Sequence, residues 1–286
     1  MTRTAVATDE VGWTPPIALT IAGSDSGGGA GIQADLRTFA AFGVHGCTAI
    51  AALTAQNTHE VRGVVATDPS FLRDQIEAVL DDLPVAAVKT GMLATAANVR
   101  VVAELAAAGR LPNLVVDPVM VSSSGARLLD DDAVRVYLDE LFPHARVITP
   151  NFREAAALVL VKHGDDDLLD QHEAAGRLAL LGPDVVVVKG GDVDDGPDVI
   201  DAICLSNDDG YYELTAPRID TANNHGTGCS FASAIAAQLA HGRSPSDAIE
   251  GAKTFVHAAI VRAAGWQLGA GHGPIDHLDF AHPRNA

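Results

Sequence analysis

The chain has 286 residues, 48% of them hydrophobic, enough to bury a large core as one α/β domain over 17–286 behind a loose tail at 1–16. A formal net charge of -18, from 37 acidic and 19 basic residues, argues against nucleic acid or an anionic membrane as partner, since both call for clustered Lys and Arg. There is no apolar run long enough to span a bilayer and no signal-peptide core at the start, and Cys47, Cys204 and Cys229 have neither zinc-site nor disulfide-framework spacing, so a reducing cytoplasm is the expected setting.

Ile17 to Ala22 is a short apolar run that reads as the first buried strand. A glycine-rich loop, Gly23 to Gly31, follows it and opens onto an amphipathic helix from about Ile32 to Phe42. Cys47 to Leu53 is the next strand, Val61 to Val65 an edge strand, and Pro69 to Leu80 a helix. Val85 to Val88 ends in Lys89-Thr90-Gly91-Met92 before an alanine-rich helix stopped by Gly109, and Leu114 to Val116 ends in Asp117-Pro118-Val119-Met120. A helix from about Asp131 to Leu141 precedes a strand at Arg146 to Ile148. Val185 to Val188 is wholly β-branched, and Val199 to Leu205 with Tyr211 to Leu214 makes a hairpin turning at Asp208-Asp209-Gly210. The last helix is expected over Pro245 to Ala264, with the tail from Gly265 ordered only in part. This alternation predicts a mostly parallel sheet with helices on both faces and a ligand edge at the strands' carboxyl ends, where Asp25, Gln56, Met92 and Asp117 fall.

Three constellations carry chemistry. Asn224-His225-Gly226-Thr227-Gly228-Cys229-Ser230 runs into an apolar helix, so its backbone amides and the helix dipole form an anion trap, and the same field favours a Cys229 thiolate able to accept a proton. A plain tight turn is the alternative. Asp25 and Gln56 can clamp a small heterocycle or polyol, or serve only as a turn Asp and a capping Gln. Asp117, Asn151 and Glu154 supply the hard oxygens Mg²⁺ prefers, Asn151 and Glu154 lying three apart at a helix start, and Lys189 can neutralise a nucleotide phosphate or simply be a solvated strand-end lysine. The first glycine loop fits neither a dinucleotide fingerprint nor a P-loop.

Gly23 to Phe39, Ala55-Gln56-Asn57-Thr58, Lys89 to Leu93, Asp117 to Met120, Thr149-Pro150-Asn151, Val188 to Gly191 and His225 to Cys229 together resemble the hydroxymethylpyrimidine/phosphomethylpyrimidine kinases of thiamine biosynthesis, in order and over nearly the whole chain. The resemblance implies a ribokinase-like fold and transfer of the γ-phosphate of ATP to 4-amino-5-hydroxymethyl-2-methylpyrimidine and then to its monophosphate. It implies further that Asp25 and Gln56 bind the aminopyrimidine with Met92 and Val119 lining its pocket, that Gly226, Thr227, Gly228 and Cys229 form the anion hole with Cys229 in the place of a base, and that Asp117 and Glu154 serve Mg²⁺ while Asn151 and Lys189 serve the nucleotide. Gly27 and Asn224 depart from the family's usual residues, which leaves the hydrogen bonding of both loops open. Some archaeal relatives carry a further C-terminal domain, and this chain is expected to stop short of one. A homodimer is the expected assembly. The alternatives are a pyridoxal or pyridoxine kinase and a pyrimidine-binding regulator without turnover.

The surface is rich in Asp, with clusters at Asp130 to Asp132 and Asp165 to Asp167, and Lys occurs only at Lys89, Lys162, Lys189 and Lys253. Such a surface resembles that of proteins from high-salt cytoplasm, where screening relieves self-repulsion.

Overall fold

The computed structural model describes residues 13–120, 131–164, 170–193, 196–206 and 210–280. Most of the expected tail, Asp130 of the Asp130 to Asp132 cluster, the Asp165 to Asp167 cluster and the turn residues Asp208 and Asp209 lie outside them.

In chain order the strands are β1 (Ile17–Ser24), β2 (His45–Gln56), β3 (Val61–Ala66), β4 (Val85–Thr90), β5 (Val115–Val116), β6 (Val147–Ile148), β7 (Val185–Val188), β8 (Asp198–Leu205) and β9 (Gly210–Pro217). They form one sheet in the order β3-β2-β1-β4-β5-β6-β7-β8-β9. Pairing is parallel from β2 through β7, and β3, β8 and β9 join antiparallel to their inner neighbours. The helices are α1 (Gly31–Ala41), α2 (Pro69–Leu80), α3 (Ala96–Ala107), α4 (Asp131–Val136), α5 (Phe152–His163), α6 (Gln171–Ala179), α7 (Thr227–Ala240) and α8 (Pro245–Ala263).

Both faces of the sheet are covered, and the two-residue period of a strand divides its side chains between two cores. Leu19, Ile21, Val186 and Val188 face the core shared with α2, α3, α5 and α6. Ala18, Val185 and Val187 face the core shared with α7 and α8. That is why the strands read as unbroken apolar runs. Helix starts follow local chemistry: Asp68 caps α2 ahead of Pro69, Thr95 caps α3, and Ser244 caps α8 ahead of Pro245.

One expectation is corrected, one helix adds to those expected, and the described part of the tail proves anchored. The helix expected to Leu141 is α-helical only to Val136 and continues as a π turn over Tyr137–Leu141 and a 3-10 turn over Phe142–His144, because Pro143 has no amide N–H to carry the regular ladder on. Helix α6 was not anticipated. It spans nine residues and starts at an Asp170 cap directly after the acidic stretch. The tail from Gly265 is tied down as far as the described residues reach: the His225 N–H donates to the Gly273 carbonyl at 3.0 Å, the Asp276 N–H to the Ala259 carbonyl at 3.2 Å, and His277 Nε2 lies 2.7 Å from Ser230 Oγ.

Candidate active site

One cavity of about 770 Å³ runs along the carboxyl ends of the parallel strands, and every site residue expected from the sequence, Thr227 included, lines it. The sheet order sets its layout. Asp25 follows β1, Gln56 ends β2, Met92 follows β4, Val119 follows β5, and Lys189 follows β7.

Two loops meet at its floor because both are glycine-built. Gly226 has φ 86°, and a Cβ there would overlap the Gly29 carbonyl oxygen. A Cβ on Gly29 would in turn overlap the His225 ring. The first glycine loop is wound around Asp25, whose Oδ1 accepts from the Gly27 N–H at 2.8 Å and whose Oδ2 accepts from the Gly29 and Ala30 N–H groups at 3.0 and 2.8 Å. His225 Nε2 lies 2.9 Å from the same Oδ2. Burial alone would raise the Asp25 carboxyl, but His225 and the Ala30 and Gly27 amides outweigh it and hold it below the usual carboxylate range. Asp25 therefore shapes the loop, and its oxygens are largely engaged before any ligand arrives. Gln56 Nε2 sits 3.3 Å from His225 Nε2, and the Gln56 backbone exchanges two 2.8 Å hydrogen bonds with Ser26 Oγ. Met92 and Val119 supply apolar wall, with Met92 against Gly23, where a Cβ would collide with its methyl group.

The anion loop opens α7. Thr227, Gly228 and Cys229 are its first residues, whose amides have no acceptor one turn back within the helix. A Cβ on Gly228 would lie 3.1 Å from Lys189 Nζ and 3.8 Å from Asp117 Oδ2, so the loop faces that ion pair directly. Lys189 Nζ donates to Asp117 Oδ1 at 2.9 Å. Burial works against the Lys189 charge, but Asp117 and Glu154 prevail and hold its ammonium above the usual range. The expected Cys229 thiolate is overturned. Burial pushes the thiol up to about 11, the Asp35 and Asp117 charges add to the rise, and Lys89 and the Gly31 N–H only partly oppose it.

Asn151 and Glu154 meet, but first of all each other. Asn151 Oδ1 accepts from the Glu154 N–H at 2.8 Å and Glu154 Oε2 accepts from the Asn151 N–H at 2.9 Å, a capping box that starts α5. Glu154 Oε1 also accepts from the Met120 N–H at 3.3 Å. Burial pushes the Glu154 carboxyl up to about 7, with Lys189 opposing the rise and Asp117 adding to it.

Two ion pairs escaped the sequence reading. Lys89, wholly buried, donates to both oxygens of Asp35 at 2.8 and 2.9 Å, and Thr20 and Ser233 hydroxyls complete that carboxylate's shell at 2.6 and 2.7 Å. Lys253 Nζ donates to Asp201 Oδ2 at 2.9 Å, while Asp201 Oδ1 accepts from the Gly190 N–H at 3.0 Å. The available signal for the first was a polar Asp35 on the apolar stripe of α1.

A nine-stranded, mostly parallel sheet with a glycine-built anion loop at its carboxyl edge defines the ribokinase-like class. Residues 25–276 match the family model described as phosphomethylpyrimidine kinase. The chain belongs to that family. It is 46% identical to the hydroxymethylpyrimidine/phosphomethylpyrimidine kinase of Streptomyces coelicolor, over 92% of this chain and 95% of that one. Against the thiamine biosynthesis bifunctional protein of Geobacter sulfurreducens it is also 46% identical over 91% of its length, but spans only 52% of that protein, about half the length of such bifunctional relatives. Among solved structures, pyridoxal kinase from Staphylococcus aureus in complex with AMP-PCP and pyridoxal superposes with a TM-score of 0.82 at 33% identity, covering 93% of this chain and 95% of that one. Phosphomethylpyrimidine kinase from Clostridium difficile superposes with a TM-score of 0.72 at 37% identity, covering 85% and 99%.

Proposed function

We propose that the chain transfers the γ-phosphate of ATP to the hydroxymethyl group of 4-amino-5-hydroxymethyl-2-methylpyrimidine and then to the resulting monophosphate, in the cytoplasm and as a homodimer. The observation that carries this is the meeting, in one cavity, of the α7 amides with the Lys189–Asp117 pair on one side and the Gln56, Met92 and Val119 wall on the other. The names of the full-length relatives support the substrate class.

The chain's own groups divide the work. The Gly226 to Cys229 amides and the positive end of α7 receive the transferred phosphoryl group, and Lys189 balances charge on the nucleotide phosphates beside them. Gln56 and the Asp25–His225 pair orient the ring, Gln56 by direct hydrogen bonds and Asp25 by fixing loop and imidazole. Cys229 sits at the first turn of α7 to orient the acceptor hydroxyl, and since phosphoryl transfer passes through a loose transition state it asks little of a base. The Asn151 amide NH₂, with its carbonyl used in the capping box, is left to donate to a phosphate oxygen.

Magnesium fits the donors present. Asp117 and Glu154 are both buried carboxylates lining the cavity, and with Lys189 as their nearest cation they carry one negative charge in excess when ionised. Among the described residues no group of three or more His, Cys, Asp or Glu forms a ready-made centre, so most of the ion's ligands would be water and phosphate oxygens, as Mg²⁺ commonly arranges. When bound, the ion would neutralise charge on the nucleotide phosphates.

Pyridoxal as acceptor is favoured by one observation, the higher TM-score to pyridoxal kinase structures. Coupled ATP consumption with each heterocycle, with and without Mg²⁺, tests the reading: turnover on the hydroxymethylpyrimidine that exceeds turnover on pyridoxal and needs the metal supports it, and turnover on neither removes it.

A further inference from the structure

Lys89, next to last in β4, is wholly buried, and its partner is not a ligand but Asp35 of α1. The ammonium fits there because Gly91 lacks a side chain: a Cβ on it would lie 2.8 Å from Lys89 Nζ. Each oxygen of the Asp35 carboxylate has two donors. Oδ1 accepts from Lys89 Nζ at 2.8 Å and from the Ser233 hydroxyl at 2.7 Å, and Oδ2 accepts from Lys89 Nζ at 2.9 Å and from the Thr20 hydroxyl at 2.6 Å. One carboxylate on α1 thereby grips β1, β4 and α7. All three lead into the site: β1 into the first glycine loop, β4 into Gly91 and Met92, and α7 begins with the amides of the anion loop.

A buried ion pair is a poor way to stabilise a fold, because desolvation of both charges offsets their attraction and apolar residues of similar volume often serve as well. What it supplies is direction, since each hydrogen bond holds only over a narrow range of angle and distance. Helix α7 needs that. It is buried from Ser230 to Leu239, and much of its packing surface is small, with alanine at 232, 234, 236 and 237. Shallow ridges of this kind interlock weakly with their neighbours and leave rotation and axial slide loosely fixed. Ser233 gives that surface a directional hold, and it lies one turn beyond Cys229 on the same face of the helix.

We propose that Asp35 is a positioning residue for phosphoryl transfer: braced by Lys89 and Thr20, it holds Ser233 and so fixes α7, with its first-turn amides and Cys229, against the glycine loop. The inference deepens the kinase reading and rests on it for what those amides receive.

Steady-state kinetics with ATP and the hydroxymethylpyrimidine, melting curves and hydrogen exchange of the full chain test it, for the wild type, Ser233→Ala, Thr38→Val and the double variant Asp35→Leu/Lys89→Met. Ser233→Ala should lower kcat about tenfold with the acceptor KM within about twofold, because the Gln56 wall is undisturbed, and should speed exchange of the amides from Ser230 to Ser233. Thr38→Val removes an equally buried hydroxyl that bonds within α1, to the Ala34 carbonyl at 2.9 Å, and should leave kcat and this exchange unchanged. The double variant should melt within a few degrees of the wild type yet lose kcat on the order of 10²-fold. Full kcat in Ser233→Ala or in a double variant of wild-type Tm, an equal loss of kcat in Thr38→Val, or unaltered exchange in Ser233→Ala overturns the proposal. Should the double variant fail to fold, Ser233→Ala set against Thr38→Val decides by the same results. A wild-type chain that phosphorylates no heterocycle removes the kinase reading, and the exchange comparison then decides whether Asp35 fixes α7.

Discussion

His225 Nε2 and Asp25 Oδ2 lie 2.9 Å apart, joining the glycine loop after β1 to the anion loop before α7 across 200 residues of chain. Because that carboxylate also gathers the Gly27, Gly29 and Ala30 amides, Asp25→Ala should loosen both loops at once. We expect it to lower kcat and acceptor affinity together and to reduce Tm, since it strands buried donors at a cost of about 1–3 kcal/mol. Gln56→Ala should raise the acceptor KM alone. Melting curves and steady-state kinetics of the two variants make the comparison; equal Tm for both would contradict the loop-organising role.

Gly226→Ala places a Cβ against the Gly29 carbonyl and holds a non-glycine residue at φ 86°. The conformation alone costs on the order of 1–2 kcal/mol and the overlap adds to it, so a lower Tm with turnover nearly abolished is expected. Gly63→Ala is the control, since nothing lies within 4 Å of a Cβ built there.

His277 provides the clearest pH dependence. Burial pulls its imidazole down to about 4, with the Arg37 charge helping and Asp276 opposing. The unfolded chain, with an ordinary histidine, binds this proton between about pH 6.5 and 4 while the folded chain does not, so stability is complete above that window and falls as pH drops through it, by about 3 kcal/mol at full extent. Denaturant unfolding of wild type and His277→Gln from pH 7 to 4 should show a shallower loss in the variant.

The acidic surface predicts a salt effect. Moving the protein from molar salt to dilute buffer should lower Tm, because a net charge of -18 repels itself more strongly as screening falls. A Tm constant across that range would remove the high-salt reading.

Cys229→Ala separates chemistry from packing. If the thiol orients the acceptor hydroxyl, kcat should fall on the order of 10²-fold with KM nearly unchanged, because the amides of the anion loop survive the substitution. Full kcat with only a lower Tm would make Cys229 a packing residue.

Much of this fold could be read from residue pattern. The Val185–Val188 run and Pro69 at the head of α2 were placed at their observed bounds, because β-branching in a doubly covered sheet and proline at a helix start act locally. Where expectation departed, a competing local or tertiary effect won. Asn151 and Glu154, three apart at a helix start, read as two ligands facing one site, yet that spacing is also the capping box, and each caps the other before it meets a phosphate. The Cys229 thiolate was inferred from the helix dipole alone, and the burial and the Asp35 and Asp117 charges that outweigh it come from chain segments far away. The Lys89–Asp35 pair spans 54 residues and the His225–Asp25 pair 200, separations at which no spacing rule operates.

The reaction proposed for this cavity is two successive phosphorylations of one hydroxymethylpyrimidine. Mass-spectrometric detection of products after incubation with ATP, Mg²⁺ and 4-amino-5-hydroxymethyl-2-methylpyrimidine tests it most directly. The monophosphate should form first and the diphosphate after it, with both lost in Gly226→Ala; pyridoxal phosphate formed from pyridoxal, with no phosphorylated pyrimidine under the same conditions, would overturn the proposed reaction.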